Sequence, residues 1–274
     1  MKRGFYRNFH PRCLLAGLGV FDWFSDLEKE ISRSIPTQVM RTNPSAKKTE
    51  PNSLEETDGR PFRLAGRELT RRDHCHVCAF FSSPDEEYRI LLPFIREGLC
   101  AGERVIHVVD PERHEDQTRR LHSDGIDFED LTAAGQLDMR LWTETHLVDG
   151  EFDATDTLSR FKNIARYSAE NGFSLMRFIT QMEWALETMS SPDALLEYEA
   201  LANYAWLNQQ GPVNPVICTY DLRKFSGAVV IDVMRTHPLI IIGGAIQENP
   251  FYVSPDELLR EISSRRNGTA LPSR

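Results

Sequence analysis

The feature that most constrains this chain is a repeated signal for the start of a helix. Ser-Pro-Asp begins at Ser83, Ser191 and Ser254, and the related Asp-Pro-Glu begins at Asp110. A Ser or Asp side chain can accept a hydrogen bond from the first helical turn, and proline fits the first helical position. A glutamate three residues after the serine completes a capping box in the first and third repeats. These signals therefore divide the chain after residue 60 into segments of strand and helix length.

Short and continuously apolar segments lie between these helix starts. Such segments are typical of parallel strands that are covered on both faces. The predicted strands are 76–81, 104–109, 136–142, 174–181, 215–220 and 238–242, and the predicted helices between or after them begin near 83, 110, 154, 191, 225 and 254. We therefore predict an α/β fold with three layers, in which a mostly parallel sheet lies between two layers of helices.

Composition divides the chain into three parts. Residues 36–60 are rich in Pro, Thr, Asn, Ser, Lys and Glu, and such a segment buries too little apolar surface to stay folded. We therefore predict that residues 1–60 are a disordered N-terminal extension or linker. The predicted domain is 61–266, and 267–274 is a predicted flexible tail.

Charge and cysteine content exclude several classes of protein. Residues 1–72 contain 14 Lys/Arg and 9 Asp/Glu, whereas residues 73–274 contain 18 and 32. An acidic folded part lacks the basic face that nucleic acids require, so we expect no direct nucleic-acid binding. No stretch has the ~20 apolar residues of a membrane span. The five cysteines are odd in number and do not form a secreted disulfide framework, so we predict a cytoplasmic protein.

The loop after the first predicted strand argues against nucleotide chemistry. It reads Phe81-Ser-Ser-Pro84, whereas a phosphate-binding loop is rich in glycine and ends in lysine and Ser/Thr. A degenerate ATPase or phosphotransferase remains the enzyme alternative, in which Asp110, Glu183 or Asp221 would hold Mg²⁺. Asp110 also has a simpler interpretation as a helix cap. We therefore predict a protein that is not an enzyme and has no cofactor.

Ligands of open parallel sheets bind beyond the carboxyl ends of the strands. Glu183 follows a buried strand between Met182 and Trp184, so its carboxylate needs a partner. Aromatic residues near the strand ends favour a small and weakly charged ligand. The predicted ligand-binding residues are His76, Cys78, Phe80, Glu183, Trp184, Tyr220, Asp221 and His237.

The sequence around the first strand also raises a metal alternative. His74, His76 and Cys78 would share one face of a strand, and zinc accepts these residue types. They span too much of the strand for a single ion, and a further ligand would have to come from His107, His237 or Cys218. Because a buried cysteine is commonly a small apolar residue, our prediction includes no metal site.

Several separate motifs resemble one family. They are 76–81 (His-Val-Cys-Ala-Phe-Phe), 88–98, 107–111 (His-Val-Val-Asp-Pro), 182–186 (Met-Glu-Trp-Ala-Leu), 218–222 (Cys-Thr-Tyr-Asp-Leu), 235–238 and 248–252. In this order they resemble the MEDS domain family, the methanogen/methylotroph DcmR sensory domain, over roughly residues 62 to 264. The resemblance implies a fold similar to RecA/KaiC-type ATPases without their phosphate loop, and a regulatory domain that perceives small organic molecules.

Together these observations predict a sensor. A small organic ligand would bind at the carboxyl ends of the strands, and the signal would pass to a protein partner. The resemblance implies that this partner is a histidine-kinase-like or anti-sigma regulatory protein, and a homodimer is a further expectation. The alternatives are the degenerate nucleotide enzyme, a pure interaction module, and a redox or metal sensor.

Overall fold

A computed structural model describes residues 61–70, 76–189, 191–207 and 214–268. The predicted extension 1–60 and all but the first two residues of the predicted tail 267–274 lie outside the described residues, as does His74. Within the described ranges, no helix is long and apolar enough to span a membrane.

The described chain alternates strands and helices. The strands are β1 (Phe62–Leu64), β2 (Arg67–Leu69), β3 (His76–Phe81), β4 (Arg104–Val109), β5 (Leu137–Leu141), β6 (Met176–Gln181), β7 (Val216–Asp221), β8 (Leu239–Ile242) and β9 (Ala245–Glu248). The helices are α1 (Pro84–Cys100), α2 (His114–Ser123), α3 (Phe128–Ala133), α4 (Trp142–Thr145), α5 (Ala154–Glu170), α6 (Trp184–Thr188), α7 (Pro192–Leu207), α8 (Gly227–Met234) and α9 (Pro255–Arg266).

Seven strands form one sheet in the order β5-β4-β6-β7-β3-β8-β9. All neighbouring pairs are parallel except β8 and β9, which form an antiparallel edge. The predicted α/β fold with a mostly parallel sheet is therefore confirmed. The sequence analysis did not predict β9, the separate β1–β2 hairpin or the short helices α3, α4 and α6, because short elements have little periodicity to detect.

Helices cover both faces of the sheet. Every residue of β3, β4, β6 and β7 is buried, as the continuously apolar segments predicted. One face packs against α5, α7, α8 and α9. The other face packs against α1, α2 and the β1–β2 hairpin. Side chains alternate between these faces along each strand, so His76, Cys78 and Phe80 share the face beneath α7.

The strand order also locates a topological switch point. After β4 the chain continues to β5 on one side, whereas after β6 it continues to β7 on the other side. The carboxyl ends of β4 and β6 therefore form a topological switch point, which is the usual ligand position in open α/β sheets. Asp110 follows β4 at this point, and Gln181 ends β6.

A buried arginine joins α1 to the sheet. Arg177 on β6 donates to Glu103 at 2.5 Å, to the Phe94 carbonyl oxygen at 2.7 Å and to Glu97 at 2.9 Å. Its side chain is 1% exposed, so each of these bonds compensates part of the cost of burying a charge. The guanidinium group passes directly over Gly98 of α1, where no side chain occupies the space.

This packing predicts the effect of an alanine at Gly98. A Cβ atom there would lie 2.6 Å from Cδ and Nε of Arg177, so Gly98→Ala should displace the buried guanidinium. We expect a net loss of about 1–3 kcal/mol in the free energy of unfolding, as for other overpacked sites, although alanine is the better helix former. Urea unfolding followed by circular dichroism measures this change. Gly227→Ala in α8 is the matched control, because no atom lies within 4 Å of its added Cβ; equal stability of the two variants would contradict the prediction.

Candidate functional site: two polar clusters in the sheet

The structure does not bring the eight predicted ligand-binding residues into one site. Glu183 and Asp221 lie at the carboxyl ends of β6 and β7, as predicted. His76 is instead the first residue of β3, and His237 precedes β8, so both lie toward the amino ends of parallel strands. Cys78, Phe80 and Tyr220 lie within strands, on the face beneath α7. His76 and His237 therefore lie away from the carboxyl ends of the strands, where the ligand was predicted to bind, whereas Phe80 and Tyr220 are the penultimate residues of β3 and β7.

Four polar residues at the switch point form what we call the carboxyl-end cluster: Glu87, Asp110, Gln181 and Glu183. Gln181 joins two of them, because its Nε2 donates to Glu87 Oε1 at 2.9 Å and its Oε1 accepts from the Asp110 N–H at 2.8 Å. Asp110 also accepts from the Glu112 N–H at 2.9 Å, so its predicted role as a cap is confirmed. All four residues are buried. Hydrogen bonds thus connect Glu87, Gln181 and Asp110, and Glu183 lies close enough to feel the charge of Glu87.

Three of the carboxylates at the carboxyl ends of the strands, Glu87, Asp110 and Asp221, have basic partners, whereas Glu183 has none among the described residues. Glu87 pairs with Arg113 at 2.6 Å and Asp110 pairs with Lys224 at 3.1 Å. Asp221 pairs with Arg223 at 2.5 Å. Glu183 forms no ion pair among the described residues, and its buried Oε2 atom has no hydrogen-bond partner there. One Arg113 nitrogen, Nη2, is also buried without a partner.

The electrostatic environment of Glu183 follows from this arrangement. Burial raises the pKa of Glu183 to about 7, and the neighbouring Glu87 charge adds to the increase, while Lys224 and Arg113 oppose it. Near neutral pH the carboxyl group is therefore divided between its protonated and ionised forms. It can donate or accept a proton or a hydrogen bond, which makes it the most chemically versatile group of the cluster.

The loop before α1 cannot present its first amide to a phosphate. Glu86 Oε2 accepts from the Ser82 N–H at 2.8 Å and from the Ser82 hydroxyl at 2.6 Å. The Ser83 hydroxyl in turn accepts from the Glu86 N–H at 3.1 Å, which confirms the predicted cap. In this conformation the Glu86 carboxylate accepts the hydrogen bond of the Ser82 N–H. A phosphate bound at the helix N-terminus would need that N–H as a donor.

Trp184 lies in the apolar core beside the carboxyl-end cluster. Its ring stacks on His146 with a centroid distance of 4.5 Å and lies 4.6 Å from Phe152. The side chain is fully buried, and its indole N–H has no partner among the described residues. In the sequence analysis Trp184 is a ligand-binding residue; in the described structure its surroundings are other side chains.

The second group of polar residues, His76, Glu199, Cys218 and His237, is here called the His-Glu-Cys cluster. All four are buried, and one potential ligand atom from each lies within 4.8 Å of the others. Cys218 lies on β7 and Glu199 lies on α7, directly over the sheet. Tyr220 donates a short hydrogen bond to Glu199 Oε1. Three of the four residues were candidates in the sequence analysis, whereas Cys78 and His107 are not part of this cluster.

Glu199 was missed by the sequence analysis. It lies on the buried stripe of α7 with Leu195, Ala202 and Trp206, at helical spacings of three, four or seven residues. A carboxylate on such a stripe is a detectable signal, because a buried charge needs a partner. Nothing in the sequence identifies that partner, since β3, β7 and the segment before β8 are all distant from α7 along the chain.

Comparisons with known proteins identify the family. The sequence model described as MEDS, the MEthanogen/methylotroph, DcmR Sensory domain, matches residues 75–238. The match covers more than half of the chain. This chain belongs to the MEDS family.

A curated relative agrees with this assignment. The transcriptional repressor DcmR of Methylorubrum extorquens is 28% identical over 177 residues, which cover 64% of this chain and 62% of the repressor. The MEDS chain described here therefore spans less than two thirds of that relative's length. The matching family model describes a sensory domain.

Among solved structures, the KaiC-like protein PH0186 from Pyrococcus horikoshii OT3 is similar with a TM-score of 0.42 and 16% identity. The alignment covers 61% of this chain and 69% of that chain. Because this similarity is low, the assignment of an α/β fold rests on the strand order of the sheet and not on this neighbour.

The pKa of Glu183 predicts a pH dependence of stability. A carboxyl group whose pKa is raised from 4.5 to about 7 in the folded state destabilises the fold progressively as pH rises through this window, because the folded state binds more protons than the unfolded state. Glu183→Gln removes the penalty. We therefore expect the variant to gain stability relative to the wild type between pH 4.5 and 7, measured as the difference between their free energies of unfolding at each pH. The exposed Glu187→Gln serves as the control, and a difference that does not depend on pH would contradict the assignment.

Proposed function

We propose that this chain is a non-catalytic sensory domain that binds a small organic molecule at the carboxyl-end cluster. The observation that carries the proposal is Glu183, a buried carboxylate without a basic partner at the switch point of the sheet. Buried polar groups that lack a partner are costly, and crevices at switch points are common ligand positions. Membership in a family of sensory domains supports a signalling role for that ligand.

The chemistry of the site suggests what the ligand carries. Glu87, Asp110 and Asp221 already have basic partners, so Glu183 is the carboxylate of the four that calls for a hydrogen-bond donor or a cation. A small amine would supply both, and a small alcohol would supply the donor alone. An anionic ligand is disfavoured, since it would face the charges of Glu87 and Glu183.

The signal would pass to a protein partner. A ligand shifts a conformational equilibrium only by binding one state better than another, and Glu183 lies directly before α6. Ligand binding there would bias the position of α6 and of the chain that follows it. We propose that the partner is a regulatory protein of the histidine-kinase-like or anti-sigma type, with a homodimer as a further expectation, and that the acidic domain itself does not bind nucleic acid.

The enzyme alternative is less consistent with the loop geometry. Nucleotide binding would require the Ser82 amide to exchange the Glu86 carboxylate for a phosphate. No glycine-rich segment precedes α1, and Ser82-Ser-Pro84 provides no lysine. We expect no heat of binding when Mg-ATP is titrated into the full chain. Saturable binding would favour the degenerate nucleotide enzyme over the sensor.

The ligand proposal predicts a specific loss on substitution. We expect small primary amines to perturb the NMR signals of the full chain around α6, with an affinity that rises with pH through about 7, because an ammonium group pairs with the ionised form of Glu183. Glu183→Gln should abolish this response at every pH.

Glu187→Gln removes an exposed carboxylate from α6 and should retain the full response to amines. Equal responses of the wild type and Glu183→Gln would exclude Glu183 from the ligand site. If small alcohols bind and amines do not, the site uses the protonated form of Glu183, and the pH dependence should then be reversed.

A further inference from the structure

The His-Glu-Cys cluster lies away from the proposed ligand site and has a different chemistry. His76 begins β3, Cys218 lies on β7, Glu199 lies on α7 and His237 precedes β8. These residues come from four separate parts of the chain, yet their ligand atoms converge within 4.8 Å. The relative exposure of each residue is 4% or less. Such convergence of nitrogen, sulfur and oxygen donors requires a physical explanation, because burying them has a high cost.

The distances within the cluster are close to those of a tetrahedral ion site. Ligand atoms about 2.0–2.3 Å from a central zinc lie roughly 3.3–3.8 Å from one another. Glu199 Oε2 lies 3.5 Å from Nε2 of both His76 and His237. Cys218 Sγ lies 3.4 Å from His76 Nε2 and 3.9 Å from Glu199 Oε2. Four edges of the tetrahedron are therefore already near the required length.

The hydrogen bonds of His237 leave its Nε2 atom free to bind an ion. Thr236 donates its hydroxyl proton to the Val233 carbonyl oxygen at 2.8 Å, so its oxygen can accept from His237 Nδ1 at 2.6 Å. This assigns the His237 proton to Nδ1 and leaves a lone pair on Nε2, which is buried without a hydrogen-bond partner in the described structure. Fixing the tautomer of a histidine through its other nitrogen is a common feature of metal ligands.

A hydrogen bond also fixes the orientation of the Glu199 carboxylate. Tyr220 donates to Oε1, which leaves Oε2 directed at both histidines and Cys218. The phenol therefore acts as a positioning group behind the carboxylate. The hydrogen bonds to Glu199 Oε1 and His237 Nδ1 thus leave Glu199 Oε2 and His237 Nε2 free to bind a shared ion.

Burial of the four side chains disfavours their charged forms. Burial raises the pKa of Glu199 to about 7 and raises the pKa of the Cys218 thiol well above its usual value. Burial also lowers the pKa of His76 to about 4 and that of His237 well below its usual value. A divalent cation would allow Cys218 and Glu199 to ionise, giving a site of zero net charge.

We propose that His76, Glu199, Cys218 and His237 bind a single Zn²⁺ ion. Imidazole, thiolate and carboxylate together favour zinc over Mg²⁺ or Ca²⁺, which prefer oxygen ligands. Four protein ligands would close the coordination sphere, so the ion would join β3, β7, α7 and the start of β8 and stabilise the fold. A neighbouring cavity of about 20 Å³, lined in part by His76, Glu199 and Cys218, has room for roughly one water molecule and not for an organic ligand.

The test uses the full chain, stripped of metal with a chelator and then titrated with Zn²⁺ or Co²⁺. We expect one tightly held equivalent, a higher melting temperature with Zn²⁺, and a release of protons from Cys218 and Glu199. The Co²⁺ form should show the visible bands of tetrahedral cobalt and a thiolate-to-cobalt charge-transfer band. Absence of a retained equivalent would overturn the proposal and leave a buried polar cluster.

Variants distinguish this site from other thiols. Cys218→Ser should abolish the charge-transfer band and weaken Zn²⁺ binding at least tenfold, as loss of a ligand predicts. Cys78→Ser is the matched control, because Cys78 pairs in register with Cys218 on the adjacent strand and is equally buried; it should keep the band. Equal Co²⁺ spectra for Cys218→Ser and the wild type would place the metal elsewhere and refute the assignment.

A measurement without variants covers the case in which Cys218→Ser does not fold. X-ray absorption of the Zn²⁺-loaded wild type should show one sulfur at about 2.3 Å and three nitrogen or oxygen ligands at about 2.0–2.2 Å. Two or more sulfurs, or none, would contradict the proposed ligand set. Since Glu183 is not part of this cluster, Glu183→Gln should bind Zn²⁺ normally, so the metal and ligand proposals can fail independently.

Discussion

Burial of the central strands on both faces is the constraint on which the rest of this structure depends. β3, β4, β6 and β7 have no exposed residue, so every polar side chain on them needs a partner within the protein. Arg177 meets this demand through Glu97, Glu103 and the Phe94 carbonyl oxygen. The carboxyl-end cluster and the His-Glu-Cys cluster are two places where the demand is met incompletely, and His107 on β4 is another buried side chain without a hydrogen-bond partner among the described residues.

The two clusters differ in what would complete them. In the carboxyl-end cluster, most charges are already balanced and Glu183 alone lacks a partner, so a donor or a cation of modest size would suffice. In the His-Glu-Cys cluster, one potential ligand atom from each of four buried residues lies within 4.8 Å of the others, and the proposed metal ion would complete this arrangement. The carboxyl-end cluster lies at the carboxyl ends of the central strands β4 and β6, and the His-Glu-Cys cluster lies under α7. A ligand that exchanges with solvent therefore suits the carboxyl-end cluster, and a stably held ion suits the His-Glu-Cys cluster.

Much of the fold was predictable because its signals are local. The limits predicted for β3 and β4 agree with the structure, since capping residues and glycine turns bound those strands closely. The antiparallel edge strand β9 was not predicted, because four residues with a single buried side chain resemble any surface segment. Glu183 was singled out correctly as a buried carboxylate, whereas the contact of His76 with Glu199 was not predicted, because contacts between elements depend on residues that are distant in the chain.

The sequence by itself determined the class of fold, the helix starts and the absence of a phosphate-binding loop before α1, since each depends on residues that are adjacent along the chain. It also contained the motifs that place the chain in the MEDS family. Only the tertiary structure decided which polar residues meet. Glu199 reaches His76, Cys218 and His237 because α7 packs across β3 and β7, and Glu183 stays without a base because Arg113 and Lys224 pair elsewhere. Such contacts follow from the packing of whole elements, which no local pattern encodes.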